Sequence, residues 1–329
     1  MIDMNINHPP PSDKPSPAPV GAVERLLSRR SGPLGFGTGL LHQIDDPASA
    51  VRLLRQAHEQ GITYFDTARL YGEGRCEGLL GEAFAQIRGE VILATKVGIL
   101  PPARDLAIRL KGKLAATLRR LPPLRGVVPP PAIRWPEFGV FDPARMQVSL
   151  ETSLRELRTD HVDLLLLHEC TLEDVRRAEV LDFAEQTVRQ GKARAWGVAP
   201  APDAMLAIAA SGSPYGDVAQ FDAALHPAFA CSPSLTITHS CLGTRFQETL
   251  FRLSQDAQLK DRWSGALGME ATTANVAQGF LAHAIWQNPT GLVLFSTTRP
   301  ERLRPNLDAA TLITTPEQAA AIAALIAAE

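Results

Sequence analysis

The chain has 329 residues, 45% of them hydrophobic, enough to bury a large core as one big α/β domain or two smaller ones. Its net charge of −2 gives no global reason to expect nucleic acid or an anionic membrane surface as a partner. The cysteines (Cys76, Cys170, Cys231, Cys241) form no C-x-x-C pair or metal-finger spacing, no basic-then-apolar leader opens the chain, and its apolar runs are strand-sized. The expectation is a soluble, cytoplasmic protein with reduced thiols, no metal and no membrane partner.

Residues 1 to about 20 carry Pro9, Pro10, Pro11, Pro15, Pro17 and Pro19 without an apolar period, and are expected to form a disordered or extended arm. Residues 21–329 are expected to be a single domain. Pro33–Gly39 reads as a first strand whose glycines permit close backbone approach. Asp46-Pro47 supplies an N-cap and a proline at N1, and Val51, Leu54 and His58 mark one face of the helix that follows. After Gly61 comes a short strand, Ile62 to Phe65, which turns polar at Asp66-Thr67-Ala68, with Tyr71 on the next loop and a helix bearing Leu79, Leu80 and Phe84 beyond it. Gly72-x-Gly74 is half of a dinucleotide fingerprint, but its third glycine position holds Glu77, which argues against a Rossmann loop here.

Val91–Thr95 reads as a third strand, ending in Lys96. Residues from about 98 to 141 break the rhythm with many prolines and a basic piece (Arg109, Lys111, Lys113, Arg119, Arg120, Arg125), as expected of a long loop insertion. Asp142-Pro143 restarts a helix with Met146, Leu150, Leu154 and Leu157 along one stripe. His161–Leu167 is a continuous apolar strand stopping at His168, the pattern of a buried parallel sheet.

A helix over roughly Leu172–Gln190, a strand over Ala193–Val198, a short helix over Pro202–Ala210 and a strand over Val218–Phe221 continue the alternation. They are followed by a strand over Leu235–His239, helices over Arg245–Ala257 and Val276–Trp286, a strand over Gly291–Phe295 and a last helix pair from Pro300 and Pro316. About eight strands separated by helices favour an α/β fold closed into a (β/α)8 TIM barrel, with an open doubly wound sheet as the alternative.

In a barrel the active site lies at the C-terminal ends of the strands. Asp66, Lys96 and His168 each follow an apolar run directly, and Tyr71 sits just after the second strand. A tyrosine of pKa ~10 is a poor acid near neutrality. A lysine beside it would favour the phenolate, an aspartate would hold that lysine charged, and a histidine could orient a substrate carbonyl. Such a set can protonate a carbonyl oxygen while hydride arrives at the carbon. The bland alternative is a Lys96–Asp66 structural ion pair and a His168 that satisfies a loop carbonyl.

The stretches GITYFDTARLYGEGRCEGLLGEAF, ILATK and HVDLLLLH resemble the signature regions of the aldo-keto reductases in type, order and strand placement, and the likeness runs from about Leu34 to Asp308. TKVGIL followed by an insertion is similar to the aldose-dehydrogenase-like branch. The resemblance implies a TIM barrel that binds NADP(H) or NAD(H) without a Rossmann motif and interconverts an aldehyde, ketone or sugar with an alcohol. It implies Tyr71 as proton donor, Lys96 and Asp66 as its tuning pair and His168 as substrate orienter. Gln220 matches the glutamine that holds the nicotinamide carboxamide, with Gly37 and Thr38 at the end of the first strand as further cofactor contacts.

FSTTRPERLRPN resembles the adenosine-phosphate loop, and this assigns Ser296, Thr297, Thr298, Arg302 and Asn306 to the cofactor, with Arg302 at the 2′-phosphate and NADP(H) preferred. Thr298-x-x-Glu301 reads as a capping box, and a helix start attracts phosphate. The family pattern is not kept throughout. Ala199-Pro200 replaces a Ser-Asn pair, His239 stands where an aromatic stacks on nicotinamide, Ser296 replaces a lysine, and Pro305 replaces a glutamate and should shorten or kink its helix. These departures keep open a second reading, a cofactor-binding regulatory or scaffold barrel with little catalysis.

Overall fold

The apolar runs pair as parallel strands and close on themselves. A computed structural model describes residues 23–24, 28–102, 135–212, 215–225 and 227–327; the proline-rich arm and most of the basic insertion lie outside the described residues. The strands are β1 (Leu34–Gly37), β2 (Tyr64–Asp66), β3 (Ile92–Val97), β4 (Val162–His168), β5 (Ala193–Ala199), β6 (Val218–Asp222), β7 (Leu235–His239) and β8 (Leu292–Phe295). Each is parallel to its neighbours in sequence order, and β8 pairs with β1 through Leu34↔Val293 and Phe36↔Phe295, so the sheet is a closed barrel rather than the open alternative.

Two helices form where Asp-Pro caps predict them. Asp46 accepts from the backbone N–H of Ala48 and Ser49 at the start of α1 (Pro47–Glu59), and Asp142 accepts from Arg145 at the start of α3 (Pro143–Glu156). Between them α2 (Arg75–Phe84) buries Leu79, Leu80 and Phe84. The helix expected over Leu172–Gln190 is broken. Thr171 and Asp174 bond each other's backbone and side chain around a 3-10 turn, and α4 (Ala178–Arg189) starts only after Arg177 turns extended.

Helix α5 (Pro202–Ser211) follows as expected. The helix expected over Arg245–Ala257 is instead α6 (Thr244–Gln255), and a second helix, α7 (Ala257–Leu267), begins at once. Asp256 causes the break: it leaves helical dihedrals and caps α7 by accepting from Leu259 N–H. Leu259, Trp263 and Leu267 fall at four-residue intervals on the buried side of α7, a stripe legible in the sequence. The barrel is completed by α8 (Thr273–Gln287), α9 (Leu303–Asp308) and α10 (Pro316–Ala327), and Pro305 does sit in a helix of only six residues.

Strand parity separates two cores. Tyr64, Ile92, Ala94, Leu164, Leu166, Val218, Ile237 and Leu294 fill the barrel interior. Their odd-step neighbours Phe65, Leu93, Leu165, Leu167, Ala219 and Val293 pack outward under the helices. The interior set, continued by two residues toward the C-terminal ends, reaches Asp66, Lys96, His168, Gln220, His239 and Ser296. The pleat that fills the core with apolar side chains thus also aims these polar ones at one mouth. Among the described residues no helix is long and apolar enough to cross a membrane.

Candidate active site

Lys96 is the hub. Its ammonium, 2% exposed, donates to Asp66 Oδ1 at 2.5 Å and to the Thr67 carbonyl at 2.9 Å, and lies 3.4 Å from the Tyr71 hydroxyl oxygen. Burial works against its charge, but Asp66 and Tyr71 outweigh burial and raise its pKa, so it stays an ammonium. Tyr71 is half-buried on a loop that turns back through three consecutive left-handed residues, Gly72, Glu73 and Gly74. His168 meets the Tyr71 ring edge-on at 6.1 Å between centroids. The four residues singled out from the sequence are therefore brought together.

The electrostatics correct one expectation. Lys96 does pull the Tyr71 pKa down, but burial of the phenol is the larger effect and, with Asp66, leaves it above the ordinary value. Tyr71 is held protonated at rest, with the cation in place for the moment the proton leaves. His168 is pushed down to about 3 by burial, with Lys96 and His239 adding to the effect. It is a neutral imidazole at physiological pH, able to hydrogen-bond but carrying no charge.

These groups open into a cavity of about 620 Å³ whose lining includes Tyr71, Lys96, His168, Gln220, His239 and Glu169. Gly37 and Ser296 also line it, and the Ser296 hydroxyl donates to the Gly37 carbonyl at 2.7 Å, tying β8 to β1. Thr38 is fully buried and its hydroxyl is committed to the Asp66 carbonyl at 2.9 Å, so its side chain serves the strand end rather than the cavity. Thr297, Thr298, Arg302 and Asn306 lie on the turn and short helix beyond. The expected capping box is not formed there. Arg299 is the N-cap of the 3-10 turn Pro300–Arg302, and the Thr297 hydroxyl accepts from Arg299 N–H at 3.1 Å. Asn306 is buried and Arg302 exposed.

Gln220 tests whether a nicotinamide fits. Its Nε2 donates to Asp66 Oδ2 at 3.0 Å, an orientation required by the carboxylate, which can only accept. That leaves Oε1 buried with no hydrogen-bond partner among the described residues. A buried amide oxygen at the cavity wall is costly unless something donates to it, and a carboxamide N–H would. The residues present fit the group at this point. The Ala199-Pro200 pair lines the same wall and offers no side-chain hydrogen bond.

Sequence reasoning missed Glu169, an exposed carboxylate at the mouth in left-handed conformation (φ 50°), held by its N–H on the Ala199 carbonyl. It directly follows His168, so the end of β4 was the available signal. Sequence reasoning also missed the packing behind Tyr71, where Glu77 is fully buried.

A closed eight-stranded parallel barrel with an Asp–Tyr–Lys–His cluster at its C-terminal mouth defines a TIM-barrel fold. The sequence profile of the Aldo/keto reductase family matches residues 33–215, and the chain belongs to that family. It is 29% identical over 167 residues to the uncharacterized oxidoreductase YqkF of Bacillus subtilis, a match covering 49% of this chain and 43% of that protein. It is 31% identical over 163 residues to a 6-dehydroglucose reductase of Agrobacterium fabrum, covering 46% of this chain and 43% of the relative. The matches thus span less than half of these curated relatives. An aldo/keto reductase of Klebsiella pneumoniae solved in complex with NADP and acetate superposes with a TM-score of 0.60 at 21% identity, covering 89% of this chain and 91% of that one, a likeness of fold.

Proposed function

We propose that the protein is a nicotinamide-dependent oxidoreductase that interconverts an aldehyde, ketone or sugar with an alcohol, with Tyr71 as proton donor. The observation that carries this is the 3.4 Å approach of the Lys96 ammonium to the Tyr71 hydroxyl beside a cavity of substrate size. In the reductive direction the Tyr71 hydroxyl donates its proton to the carbonyl oxygen, and the neutral His168 holds that oxygen in place. Lys96 stabilises the phenolate left behind, and Asp66 keeps Lys96 charged and aimed. Gln220 Oε1 would accept from the carboxamide of a nicotinamide, a group that would supply or remove the hydride. Oxidation of the alcohol runs the same proton back to Tyr71.

NADP(H) is the preferred cofactor on this reading. Arg302 and Arg299 are exposed guanidiniums on the turn after β8, and a planar permanent cation suits a 2′-phosphate. With serine at 296 in place of a lysine, the margin over NAD(H) is small. Similarity to a relative named a 6-dehydroglucose reductase supports a sugar-like or simple carbonyl substrate.

The test is a fluorescence titration of the purified protein with NADPH and NADH, followed by a panel of aldehydes and sugars. Binding of NADPH with turnover of at least one carbonyl supports the proposal. Tight cofactor binding without turnover of any substrate favours the regulatory barrel, to which the missing Ser-Asn pair gives some support. Absence of binding removes the cofactor from the account.

A further inference from the structure

Three buried polar side chains behind the site take no part in the chemistry above. Arg69 lies on the loop between Asp66 and Tyr71, and its Nη1 donates to Glu77 Oε2 at 2.6 Å. The other carboxylate oxygen, Oε1, accepts from Thr95 Oγ1 at 2.8 Å. Glu77 and Thr95 are fully buried and Arg69 is 9% exposed. By strand parity Thr95 faces outward toward the helices, while the next residue, Lys96, faces into the barrel. One carboxylate of α2 therefore grips the loop that carries Tyr71 on one side and the strand that carries Lys96 on the other.

Gly74 closes the arrangement. It has φ of +80°, and a Cβ there would stand 2.3 Å from the Arg69 Nη1. The loop folds over the guanidinium with room for glycine alone. Burying such an ion pair is at best a weak source of stability, since desolvation cancels much of the attraction and apolar side chains of like volume would pack as well. What the charges supply is direction: two hydrogen bonds accepted by one planar carboxylate fix the loop against the strand.

We propose that Glu77, with Arg69 and Thr95, is a positioning bracket that sets the 3.4 Å separation of the Tyr71 hydroxyl from Lys96 Nζ and thereby the acid strength of Tyr71. None of the three lines the cavity, so they act through Tyr71 and Lys96 and not on substrate. The proposal rests on Tyr71 being the proton donor.

The experiment is a spectrophotometric titration of tyrosinate in the full chain. There are three tyrosines, so subtracting the same titration in a Tyr71→Phe background isolates Tyr71. In Glu77→Gln and in Thr95→Val the Tyr71 midpoint should rise by about one pH unit as the phenolate loses part of its contact with Lys96. In the same variants kcat should fall about ten-fold with KM little changed. Arg69→Lys, which keeps a cation opposite Glu77, should stay near wild type. Variants that melt earlier but keep the wild-type Tyr71 midpoint and kcat would reduce the bracket to a structural contact and overturn the proposal. If Glu77→Gln fails to fold, Thr95→Val carries the same test with a single bond removed. The titration needs no turnover, so failure of Tyr71 as donor shows separately, as activity retained in Tyr71→Phe.

Discussion

Lys96 holds three oxygens at once: the Asp66 carboxylate, the Thr67 carbonyl and the Tyr71 phenol. Replacing it with methionine removes the cation that stabilises the phenolate and leaves Asp66 buried with Gln220 as its remaining side-chain donor. Lys96→Met should therefore lose activity and also lose ~1–3 kcal/mol of stability in urea unfolding, the scale of an unpaired buried polar group. An active variant with an unchanged pH profile and midpoint would remove Lys96 from the tuning role. His168 makes a second prediction. Its pKa is about 3 folded against 6.5 in the free side chain, so between these values the unfolded chain binds more protons. Its contribution to stability is complete above about pH 6.5 and is lost as the pH falls toward 3. His168→Gln should flatten that slope in urea midpoints taken across the window; an unaltered slope would mean His168 is not the neutral, buried group described. These residues were legible because each ends an apolar run at a parity that points inward. Glu169 offered only its place after His168, and the Arg69–Glu77–Thr95 set was not legible, because hydrogen bonds between a loop, a helix and a strand leave no periodic trace. Glu77 showed only as the residue that spoils a glycine fingerprint.

At the scale of elements, α2 lies close against the end of α3. Gly81 permits it: a Cβ there would stand 2.3 Å from the Glu156 carbonyl at the end of α3. Backbone cannot give way as a flexible side chain can. Gly81→Ala should destabilise by ~1–3 kcal/mol through overpacking, read from chemical denaturation. A neutral or stabilising effect, the usual result of Gly→Ala in an exposed helix, would show that the two helices are not in close contact. Strand identities, the Asp46 and Asp142 caps and the helix faces all followed from period and capping residues. The breaks at Arg177 and Asp256 did not, because they depend on whether a side chain bonds its neighbour's backbone in place of the helix, a choice that apolar spacing does not record.

On the scale of the whole molecule, the barrel gathers at one mouth residues spread along most of the chain, and the proposed function would have cofactor and substrate share it. Arg302 lies on the 3-10 turn Pro300–Arg302 after β8. Arg302→Ala should weaken NADPH by ~1–3 kcal/mol and NADH little, as expected for loss of a charge-assisted hydrogen bond. Equal losses for both cofactors would mean that it does not read the 2′-phosphate. The proposed reaction turns on proton delivery by Tyr71. It is tested most directly by carbonyl reduction at saturating NADPH with the wild-type protein and Tyr71→Phe, alongside the NADPH dissociation constant of each. Turnover of Tyr71→Phe should fall ~100-fold or more with cofactor affinity nearly unchanged, the scale of general acid catalysis. Turnover within a few-fold of wild type would contradict it.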